Sequence, residues 1–164
     1  MNKKLKHYEE SMLITADPKA VFEYVDDHKR FSSHMSKSSW MMGGGKMDAS
    51  VDEGQGQKIG SHIILSGKAF GIPLSLDEVV TLYNPPYAKA WKTVGEPKLL
   101  IIGNYSMGID IKPRNLNSQL LVYIDYDLPK TNAWLGRLLS GFYAKWCVRQ
   151  MINGASNEFN KNNL

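Results

Sequence analysis

The chain has 164 residues, 43% of them hydrophobic and 22% charged, so it is long enough to bury a core without staples and too apolar for disorder away from its ends. Its one cysteine, Cys147, excludes an intrachain disulfide, and its histidines (His7, His28, His34, His62) form no i, i+4 pair and have no cysteine nearby in sequence, which argues against a metal site. The net charge of +4 comes from Lys and Arg scattered along the chain rather than gathered in a stripe, which disfavours nucleic-acid binding and leaves transient contact with an anionic membrane surface open.

The basic start Asn2-Lys3-Lys4-Leu5-Lys6 is followed by Glu9, Glu10 and Ser11 instead of an apolar run. No stretch reaches the ~18 apolar residues that a membrane span needs. The expectation is a cytoplasmic protein of one domain, residues 1–164, frayed from about 160 onward.

In chain order, residues 7–15 read as a first strand carrying Met12, Leu13 and Ile14. Asp17-Pro18 is a helix start, because Asp can accept from the first free N–H groups and Pro at the first helical position gives up nothing. Val21, Phe22 and Val25 continue it at helical spacing over about 18–25. Asp26-Asp27 can cap a second short helix bearing Phe31 and Met35. Trp40, Met41 and Met42 then run into Gly43-Gly44-Gly45, a segment that cannot hold a regular element and reads as a loop or distorted strand entry.

From Lys46 to Leu128 short strands alternate with turns at Glu53–Gly56, Gly71–Pro73, Asn84–Pro86, Gly95–Pro97 and Pro113–Asn115. Connections this short require antiparallel neighbours. In the sixth strand Leu99, Ile101, Gly103, Tyr105, Met107, Ile109 and Ile111 share a face; in the seventh, Leu120, Val122, Ile124, Tyr126 and Leu128 do so. After Pro129, Thr131 or Asn132 can cap a long helix to about Phe159 with a broad apolar stripe from Trp134 to Ile152. The expected fold is α+β: a curved antiparallel sheet of about seven strands around one long C-terminal helix, with two short helices after the first strand. A sheet curved around a helix leaves a gap between them, which is a ligand cavity in the making.

With that order of elements, the chain resembles the START-like, Bet v 1-like (SRPBCC) superfamily of helix-grip proteins, and within it bacterial polyketide cyclase/dehydrase-like and coenzyme Q-binding-like members. The residues that carry the resemblance are Ile14–Pro18 continuing through Val21–Asp27 to Phe31, Ile59-Gly60-Ser61, Asp77–Thr81 leading to Pro85-Pro86-Tyr87 and Ala90-Trp91, and Tyr126–Pro129. The resemblance implies a cavity for apolar or partly polar ligands. It implies no shared catalytic set, so no catalytic residue and no cofactor is assigned.

Candidate ligand-binding residues are Trp40 and Met41 at the glycine-rich loop, Phe70, Trp91, Tyr105 and Met107 on the sheet, and Phe142 and Trp146 one turn apart on the long helix. Glu78 and His62 are the acid/base candidates, with Glu78 singled out because Leu76 and Val80 share its parity. Asp110 and Asp125 oppose the apolar parity and belong to the solvent face. Gly43-Gly44-Gly45-Lys46 lacks the earlier glycine and the following Ser or Thr of a phosphate loop. Gly103–Gly108 misses the nucleophile-elbow spacing by one residue. The expected function is binding or transport of a hydrophobic small molecule or lipid (a quinone, fatty acid or polyketide-like molecule) by a monomer or homodimer, with no convergent polar set in the cavity. The alternatives are a polyketide cyclase/dehydratase acting in that cavity and a protein-interaction module.

Overall fold

The computed structural model describes residues 4–37 and 44–161, without the side chains of His34 and Met35. Seven strands form one antiparallel sheet in the order β1-β7-β6-β5-β4-β3-β2. They are β1 (Lys6–Ile14), β2 (Lys46–Val51), β3 (His62–Ala69), β4 (Ile72–Asn84), β5 (Ala88–Lys98), β6 (Tyr105–Arg114) and β7 (Asn117–Tyr126). Three short helices lie between β1 and β2: α1 (Pro18–Asp26), α2 (His28–Phe31) and the one-turn α3 (Ser33–Ser36). The long α4 (Ala133–Asn160) follows β7. This is the expected helix-grip architecture, with α3 added.

Local chemistry places the short helices as expected. Asp17 accepts from the Ala20 amide at 3.0 Å and Pro18 opens α1, while Asp27 accepts from the Arg30 amide at 3.2 Å and opens α2. Period-two burial holds in β7, where Leu120, Val122, Ile124 and Tyr126 are buried and their neighbours are half-exposed. Two expectations fail around β5. Gly95-Glu96-Pro97 is not a turn but the continuation of β5, with Gly95 in the left-handed region (φ 68°). The chain reverses instead through residues 99–104, so Leu99, Ile101 and Gly103 are not strand residues, and the β6 alternation begins at Tyr105. Gly103 fits there because its bare Cα lies against the Asp127 carboxylate, which accepts from the Asn104 amide at 2.8 Å.

The long helix holds a larger surprise. Its fully buried positions are Gly136, Ser140, Ala144, Cys147, Val148, Met151, Ile152 and Ala155, with mostly small residues in the first half. Trp134, Leu138 and Phe142, counted in the inward stripe on apolar periodicity, are 67%, 72% and 56% exposed. The loops at that end of the sheet approach too closely for large side chains: a Cβ on Gly136 would meet Pro129 Cδ at 2.5 Å and the Ile101 carbonyl oxygen at 2.9 Å. Asn132 does precede the helix, but it sits at φ 59° and its side chain caps nothing, so neither Thr131 nor Asn132 supplies the expected cap. Side-chain ties to the β1 segment hold the helix in place. Lys6 donates to Ser140 at 3.2 Å, Arg149 donates to Glu10 at 3.0 Å, and Thr15 donates to Asn160 at 3.2 Å.

The close approach at Gly136 gives a prediction whose sign opposes helix propensity. Alanine is the better helix former by about 1 kcal/mol, but overpacking against a backbone carbonyl costs about 1–3 kcal/mol. Gly136→Ala is expected to lower the urea midpoint, whereas Ala at the roomier Gly141, whose Cβ would have only the Tyr126 hydroxyl at 3.9 Å, is expected to raise it.

Candidate functional site

Between the concave face and α4 lies a small interior cavity of about 30 Å³. It is narrow, with room for about two or three ordered waters. Most of the wall is apolar: Leu65, Leu76, Trp91, Met107 and Ile124 from the sheet, and Cys147 and Met151 from the helix. Polar side chains also line it: Ser32, Tyr143 and, meeting one another, Glu78 from β4, Tyr105 from β6 and His28 from the start of α2.

Glu78 is 1% exposed and His28 2%. The Tyr105 hydroxyl donates to Glu78 Oε1 in a short hydrogen bond. Glu78 Oε2 lies 3.3 Å from His28 Nε2, yet both it and His28 Nδ1 lack a hydrogen-bond partner. Leaving such an atom buried and unsatisfied costs about 1–3 kcal/mol. Burial first, and the Glu78 carboxylate second, push the Tyr105 hydroxyl well above the usual tyrosine range, so it remains a donor. The His28 ring packs edge-on against Trp91, with centroids 5.0 Å apart. Parity explains the Glu78 side: Leu76, Glu78 and Val80 all turn inward. The chemistry available is a carboxylate, a phenol donor and an imidazole within one otherwise greasy space.

A second buried polar group stands behind the first. Lys89 on β5 is fully buried and donates to Asp26 Oδ1 at 2.9 Å and to the Asp26 carbonyl at 3.3 Å; Tyr83 donates to Asp26 Oδ2 at 2.7 Å. Burial lowers the Lys89 ammonium pKa against the opposing pull of Asp26, and burial together with Asp26 raises the Tyr83 hydroxyl to about 12. This group fixes the junction of α1 and α2, two residues before His28.

The expected site residues divide. Trp91, Tyr105, Met107 and Glu78 line the cavity. Phe142 does not; it points to solvent, and its neighbour Tyr143 takes the place expected of it. Trp146 is half-buried and packs against Tyr143 at 5.9 Å between ring centroids, outside the cavity wall. Phe70 is 56% exposed at the β3–β4 turn, with φ 53°, and lines an outer vestibule with Leu74, Leu99, Leu100, Ile101, Ile102 and Tyr143. His62 is exposed on the sheet's other face, 2.9 Å from Asp77, so it is no cavity acid or base. Trp40, Met41 and Gly43 lie outside the described residues. Among the described residues no cluster of His, Cys, Asp and Glu could hold a metal ion. His28 was missed because a lone histidine after a cap carries no periodic signal, and the convergent polar set it completes was not expected.

The architecture has well-defined relatives among solved structures. The Zhui aromatase/cyclase from Streptomyces superposes with a TM-score of 0.73 over 98% of this chain and 97% of its own, at 14% identity. Ara h 8.0201 gives 0.68 over 96% and 99%, at 12% identity. A point mutant of norcoclaurine synthase from Thalictrum, solved with a transition-state analogue, gives 0.68 over 100% and 99%, at 10% identity. The chain shares the helix-grip fold of these structures. At these identities the likeness is one of fold. No family model and no curated protein matches the sequence. No helix among the described residues is long and apolar enough to cross a membrane.

Two predictions follow from the buried groups. Asp26→Ala strands the Lys89 charge and is expected to cost about 3–5 kcal/mol by urea denaturation, while Asp26→Ala combined with Lys89→Met recovers most of the loss. Burial raises the Cys147 thiol from the model-compound value of 9.0 to about 12. A raised folded pKa stabilises fully below the unfolded pKa and loses that contribution as pH climbs from about 9 toward about 12. Stability should therefore fall by about 1–2 kcal/mol more in the wild type than in Cys147→Ala between pH 8 and about 10.5, read from paired urea curves.

Proposed function

We propose that the protein binds a small, largely apolar molecule in the cavity between sheet and α4, with one polar group of that molecule held at Glu78, His28 and Tyr105. The observation that carries this reading is the pair of buried atoms without a hydrogen bond, Glu78 Oε2 and His28 Nδ1, in a wall made mostly of Leu, Ile, Met and Trp. A ligand hydroxyl, carbonyl or amide would supply the missing hydrogen bonds, and apolar contacts would supply the rest. Leu99, Ile102 and Tyr143 line both the cavity and the outer vestibule, so they form the wall between the two. A ligand larger than a few waters enters by displacing them. A hydrophobic carrier or sensor of a quinone, fatty acid or polyketide-like molecule fits this design.

The polar cluster also favours a second reading, a cyclase or dehydratase. Glu78 would take a proton from a carbon beside a ligand carbonyl, and Tyr105 or His28 would donate to the oxygen that gains charge. The Streptomyces aromatase/cyclase and the norcoclaurine synthase mutant named above share the fold in which this chemistry would sit.

Native mass spectrometry and displacement of a hydrophobic fluorophore, 1-anilinonaphthalene-8-sulfonate, by a panel of quinones, fatty acids and aromatic polyketides test the binding reading. Met107→Trp, which fills the cavity, is expected to weaken binding at least about tenfold, and Glu78→Gln to weaken only ligands that carry a hydroxyl or amide donor. A protein that takes up nothing from the panel, or one indifferent to Met107→Trp, overturns it. Turnover lost in Glu78→Gln with binding retained would select the enzyme reading.

A further inference from the structure

The exposed face of α4 is unlike the surface of an ordinary amphipathic helix. Trp134, Leu138 and Phe142 stand at i, i+4 and i+8, and all three are more than half exposed. Leu135, Leu139 and Trp146 flank them, half-buried. Opposite them, Gly136, Ser140 and Ala144 face the sheet. The large apolar residues therefore look outward, where water would select polar ones.

Charge on the same face has one sign. Arg137 is exposed within the stripe and Lys145 lies just beyond Phe142. From Ala133 to Asn160 the helix carries Arg137, Lys145 and Arg149 against a single acid, Glu158, close to its far end. Arg149 is engaged by Glu10. Trp, Leu and Phe presented together with Arg and Lys, with no acid on the helix itself before Glu158 and Glu10 of β1 taken up by Arg149, complement a surface that is apolar below and anionic above. That is the composition of a lipid interface. A protein partner with an apolar groove and an acidic rim is not required.

We infer that the outer face of the first half of α4 is a docking surface for anionic lipid membranes, on which the helix lies parallel to the bilayer with Trp134, Leu138 and Phe142 in the headgroup–acyl boundary. The vestibule sits beside this face. Its lining includes Tyr143, next to Phe142, and the exposed Phe70 at the hairpin tip, with the exposed Ile72 two residues on. This placement accords with a lipid-soluble ligand in the cavity, but docking itself needs none.

The test is co-sedimentation of the full chain with vesicles of phosphatidylcholine alone and of phosphatidylcholine with phosphatidylglycerol, at low and at high salt, beside size-exclusion chromatography with light scattering. Binding is expected to the anionic vesicles only and to weaken as salt rises. Leu138→Asp with Phe142→Asp should reduce it at least about tenfold, and Arg137→Glu with Lys145→Glu should do likewise. All four positions are exposed, so the urea midpoint should hold. Absence of binding to anionic vesicles overturns the inference, as does binding that both variants leave intact. A dimer dissolved by Leu138→Asp with Phe142→Asp, without any vesicle binding, assigns the face to a second copy instead. The fluorophore assay on these variants separates the two proposals, because the cavity residues are unchanged and its result should be unaffected.

Discussion

The close approach of α4 to the sheet governs the rest of the molecule. Gly136 lets the start of the helix come down onto Pro129 and the Ile101 carbonyl, Ser140 and Ala144 continue its small buried face, and the helix widens its contact only at Cys147, Val148 and Met151. Close packing in the first half and larger side chains in the second leave the cavity where it is, bounded by Tyr143, Cys147 and Met151. The same constraint turns Trp134, Leu138 and Phe142 outward, since there is no volume for them inside. One packing choice thus produces both the interior space and the apolar exterior.

Within that space the polar groups are arranged by backbone parity and by one helix start. Inward parity on β4 brings Glu78 in, and the same parity on β6 brings Tyr105 to meet it. His28 arrives from the other direction, at the head of α2, where Asp27 fixes the first turn. A carboxylate with one oxygen bonded to Tyr105 and the other beside His28 without a hydrogen bond is costly in a largely apolar pocket, and the fold tolerates it among well-packed neighbours. Such a pocket favours a ligand that completes the hydrogen bonding over one that is merely greasy.

Much of this was legible from residue order. Asp17-Pro18, Asp27, the alternation in β6 and β7, and the long terminal helix each follow from local rules, and Glu78 declared itself by sharing parity with Leu76 and Val80. What was not legible depended on distance between elements. Apolar periodicity in α4 marks a broad arc but cannot tell which edge of the arc faces the sheet; the small residues carry that information, and they read as neutral. Gly95 and Pro97 look like a turn, yet β5 runs through them, because a glycine at positive φ can sit within a strand and a proline can sit near its end. His28 stands alone in sequence and meets its partners, Glu78 and Trp91, only across the fold.

The Asp26, Lys89 and Tyr83 group carries a further consequence. It clamps the α1–α2 junction to β4 and β5, and His28 begins two residues later. The imidazole therefore has no independent address: its reach toward Glu78 is set by an ion pair that never touches the cavity's contents. A substitution at position 26 acts twice, once on how firmly the chain folds and once on where the imidazole stands against Glu78, so at this position tolerance for sequence change and the shape of the pocket are a single property.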